Sequence, residues 1–528
     1  MKKKFIAMLL AATMVFSLAG CGDKPNNDNQ GGGSTPASDT TPADNNGGQG
    51  EATPEPAADE VEKPSEITIL VDGTVFTEAN GREQFIAKLQ ELTGIEKINV
   101  IQPDHDAYYD NVGQIIAGGD WPDVMILSST YYSGYAAEGV LWDMTEAWEN
   151  SELRQRQIAY DGAGVVEGMY IDGVLYGMPA ARGNGCVTYV KQAWIDQYNG
   201  GKVPTNYAEY SEMCANFVAN GKYAVSAAGF VGGEAPYINY LPEFYQDAYP
   251  SFYQKEDGTW ADGFTEDSMK DALQRMADAY AAGWIDPTTL TNGTKDCRNK
   301  FFSDEFGVFT YWAGTWATNL KNGLANNGVD SELVALSPIA EVGTYLDRIP
   351  PVWCISSTCK NPEGVFKYFI EPMQDGGEVQ FLWTYGVEGV HWSTAAETLY
   401  EGTEQEKVYE EGQFHGLDNL ETPGSQYTKA HIDPALALVD LANDPADESR
   451  ASENLASSTL FAQNSRLAVL VPTTDEMSQY NGDLTTLKNS LIAKVVMGEM
   501  SIDDAYAQFE ADGGAKWSQM IVDSLNNR

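Results

Sequence analysis

Blocks of apolar residues alternate with amphipathic stretches along the first part of the chain. "EITILV" (Glu66–Val71), "INVIQP" and "DVMIL" are short apolar runs that read as strands. Between them, "EANGREQFIAKLQELTG" and "YYDNVGQIIAGG" repeat apolar residues at helical spacing. Strands alternating with helices of that length predict crossover units and a mostly parallel sheet, hence an α/β class. Further on, "EDSMKDALQRMADAYAAGW" places Met269, Leu273, Met276 and Tyr280 on one helical face, which predicts a core contact. "RNKFFSDEFGVFTYW" turns from helix into strand, and the stretch from Leu484 is mostly helical, with Trp517, Met520, Ile521 and Leu525 on one stripe. No internal repeat or heptad run is present.

The N-terminus departs from this pattern. Lys2, Lys3 and Lys4 precede a short apolar stretch, Phe5 to Ala19, too short for a permanent span and read as a secretory signal over 1–20. "SLAGC" resembles a bacterial lipobox, which implies acylation of Cys21; a plain secretory signal with an incidental cysteine is the alternative. From Gly22 to about Ser65 the chain is Gly, Asn, Asp, Pro, Thr, Ser and Ala with no aromatic residue, so 21–65 is expected to be a disordered tether spanning about 35 Å.

The remaining body of about 460 residues exceeds a usual single core and predicts two lobes. The formal charge of −45, with 77 acidic against 32 basic residues, excludes a phosphate-backbone partner and disfavours anionic ligands unless a local basic pocket intervenes. Beyond Cys21, the cysteines Cys186, Cys214, Cys297, Cys354 and Cys359 show neither a disulfide framework nor metal-ligand spacing, though Cys354 and Cys359 are near enough in sequence to pair. No histidine has metal spacing to another, and no metal or cofactor is expected.

The order of local phrases adds a resemblance. "GGDWPDVMILSSTYYSGYAAEGVLWDMT", "DGVLYGMPAARGNGCVTYVKQAWIDQYNGGKVPTNYAEY", "YAAGWIDP", "FFSDEFGVFTYWAGTW", "YGVEGVHW" and "KVVMGEMSIDDAYAQFEADGGAKW" together resemble the extracellular solute-binding lipoproteins of bacterial ABC importers, carbohydrate-binding branch. The resemblance implies a two-lobed periplasmic-binding-protein-like fold (type II), with mixed sheets flanked by helices and a hinge between the lobes. By analogy, one lobe is expected at 66–182 with 346–375 and the other at 183–345 with 376–528. Some relatives carry an Asx-rich calcium loop where this chain reads "FVANGKYAVSAAGF", without the carboxylates such a cation requires, so no calcium is expected there.

Sugars present flat C–H faces and many hydroxyls, so a sugar site needs aromatic plates and polar groups. Trp316 in "AGTW" stands where sugar-binding relatives present a stacking tryptophan, and Trp312 precedes it; packing beneath the strand is the alternative. Tyr131 and Tyr132 follow the "DVMIL" strand, at the end where ligands of open α/β sheets gather. Arg182 near the lobe crossing is a ligand fork or a structural ion pair, and Trp353 a cleft or a core residue. In "YGVEGVHW", Tyr385, Glu388 and Trp392 line or brace the cleft, with Glu388 favoured as a brace and His391 behind it. Glu388 has no evident carboxylate partner across a glycosidic bond, so catalysis lacks support.

The expectation is therefore a monomeric, lipid-anchored protein on the outer face of a bacterial membrane. It captures a carbohydrate, expected to be an oligosaccharide, and delivers it to an ABC permease. A peptide or other small metabolite is the alternative ligand, and a surface glycosidase the alternative activity.

Overall fold

The computed structural model describes residues 61–71, 81–103, 107–161, 164–180, 185–231, 241–402, 406–417, 437–445 and 452–528. The signal, Cys21, the tether as far as residue 60 and Arg182 lie outside the described residues. The last five residues of the expected tether, 61–65, are instead held on the first lobe, where the Tyr368 hydroxyl donates to the Val61 carbonyl at 3.1 Å and the Asn361 amide to the Glu62 carbonyl at 2.7 Å. No helix among the described residues is long and apolar enough to cross a membrane.

The expected strand and helix blocks form. Strands β1 (Glu66–Leu70), β2 (Lys97–Ile101) and β3 (Val124–Leu127) alternate with helices α1 (Arg82–Thr93), α2 (Tyr108–Gly118) and α3 (Ser129–Ala137). β4 (Gly177–Pro179) leads to β5 (Cys186–Lys191) and β6 (Tyr223–Val225), then α4 (Pro242–Tyr245), α5 (Asp267–Ala281) and α6 (Thr294–Phe302). β7 (Phe306–Trp312) runs into α7 (Trp316–Asn326) and then β8 (Leu333–Ala335), β9 (Tyr345–Asp347) and β10 (Val352–Ile355). The chain closes with α8 (Glu378–Tyr385), α9 (Ser452–Gln463), β11 (Ser465–Leu467), α10 (Asp475–Val496), α11 (Ile502–Ala511) and α12 (Gly514–Asn526).

These strands build two separate mixed sheets. The first has the order β2-β1-β3-β10-β4, with β1 parallel to β2 and β3, and β10 antiparallel to β3 and β4. The second has the order β8-β5-β7-β6, with β7 antiparallel to β5 and parallel to β6. Each sheet carries its own hydrophobic core, so the body is two lobes. β3, β5, β7 and β10 are buried at every position, which explains why they are apolar apart from the buried Thr188, Lys191 and Thr310.

α5 shows the logic of the flanking helices. Met269, Leu273 and Met276 are buried at the expected spacing, whereas Tyr280 is half-buried and meets Phe230 edge-on at 6.0 Å. α8 is a correction. The expected division put 376–528 in the second lobe, yet Val379, Leu382 and Trp383 belong to the first core, where Trp383 meets Phe85 of α1 edge-on at 5.0 Å. An apolar helix face states that it is buried but not which core buries it.

Lysines bolt the second lobe from inside. Lys488 reaches Asp262 at 2.6 Å with both side chains buried, and Lys191 and Lys222 share Asp304 at 2.9 and 3.1 Å. Breaking one partner of such a pair strands a buried charge, which costs about 3–5 kcal/mol. Glu243 on α4 has no such cation. It is 3% exposed, beside Tyr210, Cys214, Tyr345 and the hydroxyl of Thr188, and burial pushes its carboxyl from 4.5 up to about 7.

The sign follows from linkage. A folded pKa above the unfolded value means that the native state holds the proton more tightly. The stabilisation is complete below about pH 4.5 and is lost as pH rises through about 7. Glu243→Gln is expected to raise stability at pH 8 by about 2–3 kcal/mol and to change it little at pH 4.5, measured by urea melts at the two pH values.

Candidate functional site

The carboxyl ends of β2 and β3 open into α2 and α3, and there the first lobe collects tyrosines. Tyr131 on α3 stacks face to face on Tyr109 of α2, with centroids 4.1 Å apart and planes 7° from parallel. Tyr135, one turn further along α3, tilts against Tyr131 at 6.0 Å. Both stacked rings are half-exposed. The Tyr108–Tyr109 doublet was the only sequence signal for Tyr109, and it carries no facing information without the helix register.

Tyr132 does not join this platform, which corrects the expectation. It is fully buried, donates from its hydroxyl to the Met169 carbonyl at 2.8 Å, and accepts from the Tyr176 amide at 3.1 Å. Consecutive helical residues point about 100° apart, so when one of the pair faces out the other faces the core.

In the second lobe, β7 ends at Trp312, and the turn Ala313–Thr315 delivers Trp316 as the first residue of α7. Gly314 takes φ 79°, a left-handed conformation natural only to glycine, and its amide donates to the Ser457 hydroxyl of α9 at 3.0 Å. Trp316 is half-exposed. Its ring stands edge-on to Tyr311 at 4.9 Å, and the Arg298 guanidinium lies 5.1 Å over it while donating to the Tyr311 hydroxyl at 2.7 Å. Trp312 is mostly covered, with Arg348 stacked 4.3 Å over its ring.

The chain passes between the lobes beyond β4 and before β10, and each side of the passage is tied within its own lobe. The Ala180 amide donates to the Pro351 carbonyl at 2.8 Å, and the Ala313 amide to the Gly185 carbonyl at 3.0 Å. β9 and β11 form a separate parallel ribbon pairing Leu346 with Arg466 and Asp347 with Leu467. Beyond β11, the Val471 carbonyl accepts from the Ser133 hydroxyl of α3 at 3.2 Å, which sets the ribbon beside the tyrosine helix. Trp353 is excluded from the cleft. It sits in mid-β10 at 0% exposure, edge-on to Trp383 at 5.5 Å and Phe369 at 6.4 Å, because a central strand between β3 and β4 is covered on both faces.

"YGVEGVHW" folds into a self-braced loop. Gly386 has φ 79° and ψ −152°, the Val387 amide donates to His391 Nδ1 at 2.9 Å, and the Trp392 indole donates to the Gly386 carbonyl at 3.0 Å. Tyr385 is buried, with its hydroxyl on Asp444 at 2.6 Å, and Phe381, Phe414 and Trp392 close an aromatic cluster around it. Glu388 is exposed and pairs with Trp392 only through a backbone bridge. The bracing expected of Glu388 is carried by His391 and the two aromatic residues.

Among the described residues, no group of three or more His, Cys, Asp or Glu side chains is placed to hold a metal ion. The segment in place of a calcium loop forms β6, and its Lys222 is taken up by Asp304. Cys354 and Cys359 are free thiols. A depression of about 910 Å³ on the first lobe, bordered by Trp142, Glu146, Arg156, Lys367, Glu371 and Asp375, shares no residue with the aromatic sets.

The chain belongs to the bacterial extracellular solute-binding protein family, whose model matches residues 74–370. Solved structures with the same two-lobed, periplasmic-binding-protein-like fold include alginate-binding protein AlgQ2 without calcium ion, at 18% identity and TM-score 0.60, covering 88% of this chain and 99% of that one. The N-glycan transport solute-binding protein NgtS from Streptococcus pneumoniae matches at 15% identity and TM-score 0.60, covering 88% and 100%. ABC substrate-binding protein Lmo0181 from Listeria monocytogenes, in complex with cycloalternan, matches at 15% identity and TM-score 0.54, covering 88% and 99%. No curated protein sequence matches.

A side chain at Gly386 would meet the His391 ring at 2.6 Å in a backbone conformation closed to L-residues. Gly386→Ala is therefore expected to destabilise the first lobe by about 1–3 kcal/mol, read as a lower urea midpoint.

Proposed function

We propose that this protein captures an oligosaccharide between its lobes and hands it, unmodified, to an ABC permease. The observation that supports the reading is the presence of partly exposed aromatic rings in each of the two lobes. Tyr109 and Tyr131 stand on one side, and Trp316 with the edge of Trp312 on the other. Stacked rings cover sugar faces, and lobe closure about the crossing segments excludes water from the remaining contacts. The names of the structural relatives, which include alginate, N-glycan and cycloalternan binders, support a sugar over a peptide.

The chemistry is binding alone. Glu388 stands exposed in a loop, which does not make it one of two carboxylates flanking a bond. Micromolar capture needs about −8 kcal/mol, within reach of a few stacked rings and satisfied hydroxyls. The lipobox-like "SLAGC" and the tether support acylation at Cys21, so that the lobes work above the outer face of the membrane as a monomer.

Calorimetry against a panel of neutral and charged oligosaccharides, with peptides of similar size, tests the reading. At least one oligosaccharide is expected to bind, and Trp316→Ala to weaken it ten-fold or more while the circular dichroism stays that of a folded protein. Binding of peptides but no sugar, or release of shortened products from the sugars, would overturn the proposal. Cys21→Ser is expected to abolish palmitate labelling and to move the protein from the membrane fraction into the medium.

A further inference from the structure

With 77 acidic residues against 32 basic ones, a cation in this chain has carboxylates to choose from. Several take them: Lys300 sits 2.7 Å from Asp286, which it helps hold at a pKa of about 2 against the opposing effect of burial, and Lys488 sits on Asp262. Arg275 instead supports backbone, donating to the Phe244 and Tyr245 carbonyls.

Arg298 and Arg466 do neither. Among the described residues, Arg298 has no carboxylate within ion-pair distance; it donates to the Tyr311 hydroxyl and lies over Trp316. Among the described residues, the Arg466 side chain has no hydrogen bond and no carboxylate within ion-pair distance; it lies 5.4 Å over the Tyr249 ring, and partial desolvation lowers its pKa.

Their positions follow the proposed cleft. Arg466 faces Leu346 across the crossing ribbon, and Arg348 lies two residues past Leu346, so alternation puts both arginines on one face of that ribbon. Arg348 is stacked on Trp312, four residues before the Trp316 that Arg298 covers. Guanidinium–ring pairs thus run along the same edge as the plates. An aromatic ring holds a guanidinium in place without neutralising it, leaving its N–H fork open to a planar oxyanion.

Resting on the oligosaccharide reading, we propose that the cleft selects sugars bearing an anionic group, a ring carboxylate or a sulfate, which Arg298 and Arg466 engage as charge-assisted hydrogen-bond donors. A bidentate guanidinium–oxyanion contact also supplies orientation, which a neutral hydroxyl does not. The surplus negative charge elsewhere makes an anionic ligand better tolerated beside these guanidinium groups than over the acidic surface.

The test is calorimetry on the full chain with matched pairs: oligogalacturonides against their methyl esters, and chondroitin oligosaccharides against their desulfated forms. Neutral malto- and xylo-oligosaccharides complete the set. The charged member of at least one pair is expected to bind ten-fold or more tighter than its neutral partner, and the responding pair distinguishes carboxylate from sulfate. Arg298→Gln and Arg466→Gln, each confirmed folded by thermal melt, should reduce the charged ligand's affinity five-fold more than the neutral partner's. Arg→Lys at either site should retain part of the preference. Tight binding of neutral sugars with no preference for charge overturns this inference and leaves the oligosaccharide reading standing. Binding of no sugar at all overturns both.

Discussion

The close approach of backbones where the two sheets exchange chain is the constraint on which the rest depends. The β4–β5 passage, β9 and the end of α9 come together at Gly185. A Cβ there would collide with the Phe461 ring and lie 2.8 Å from the Leu346 carbonyl. The Ala180–Pro351 hydrogen bond extends the β4–β10 pairing of the first sheet towards this region, and the Ala313–Gly185 bond extends the β5–β7 pairing of the second. Because β7 ends beside this junction, Trp312 and Trp316 follow directly from it, while α3 touches the chain after β11 through Ser133. The aromatic plates are consequences of where the strands stop.

That dependence explains what was legible in the sequence. Element type came through because β3, β7 and β10 are buried on both faces and α5 on one, so burial wrote periodicity into the residues. The two-glycine spacing of "YGVEGVHW" was readable as a tight path, and both Gly386 and Gly389 take positive φ. Facing was not readable. Tyr131 and Tyr132 are chemically identical neighbours, and only the rotation of α3 sends one to Tyr109 and the other to the Met169 carbonyl. Trp353 was a cleft candidate only because it follows a crossing, with core packing the favoured reading, and its strand is interior to a sheet. Arg298, Arg348 and Arg466 lie far apart in sequence and become neighbours of the same edge only through β7 and the β9–β11 ribbon.

Electrostatics divides the labour between the inside and the rim. Lysines neutralise interior carboxylates of the second lobe, where one ammonium can satisfy several oxygens: Lys191 takes both the Phe301 carbonyl and Asp304. The arginines near the junction lean on rings. A short, strongly hydrated ammonium suits a closed cage, whereas a planar cation that tolerates partial desolvation suits an edge that opens and closes.

The cysteines carry a separate consequence. Cys214, Cys297, Cys354 and Cys359 are reduced, and burial raises the thiol of each, to about 11 at Cys297 and about 12 at Cys359. A sulfur that scarcely ionises at neutral pH is a poor nucleophile towards oxidants and toward other disulfides. The described lobes therefore hold together without disulfide bonds, and their thiols are poor targets for oxidants.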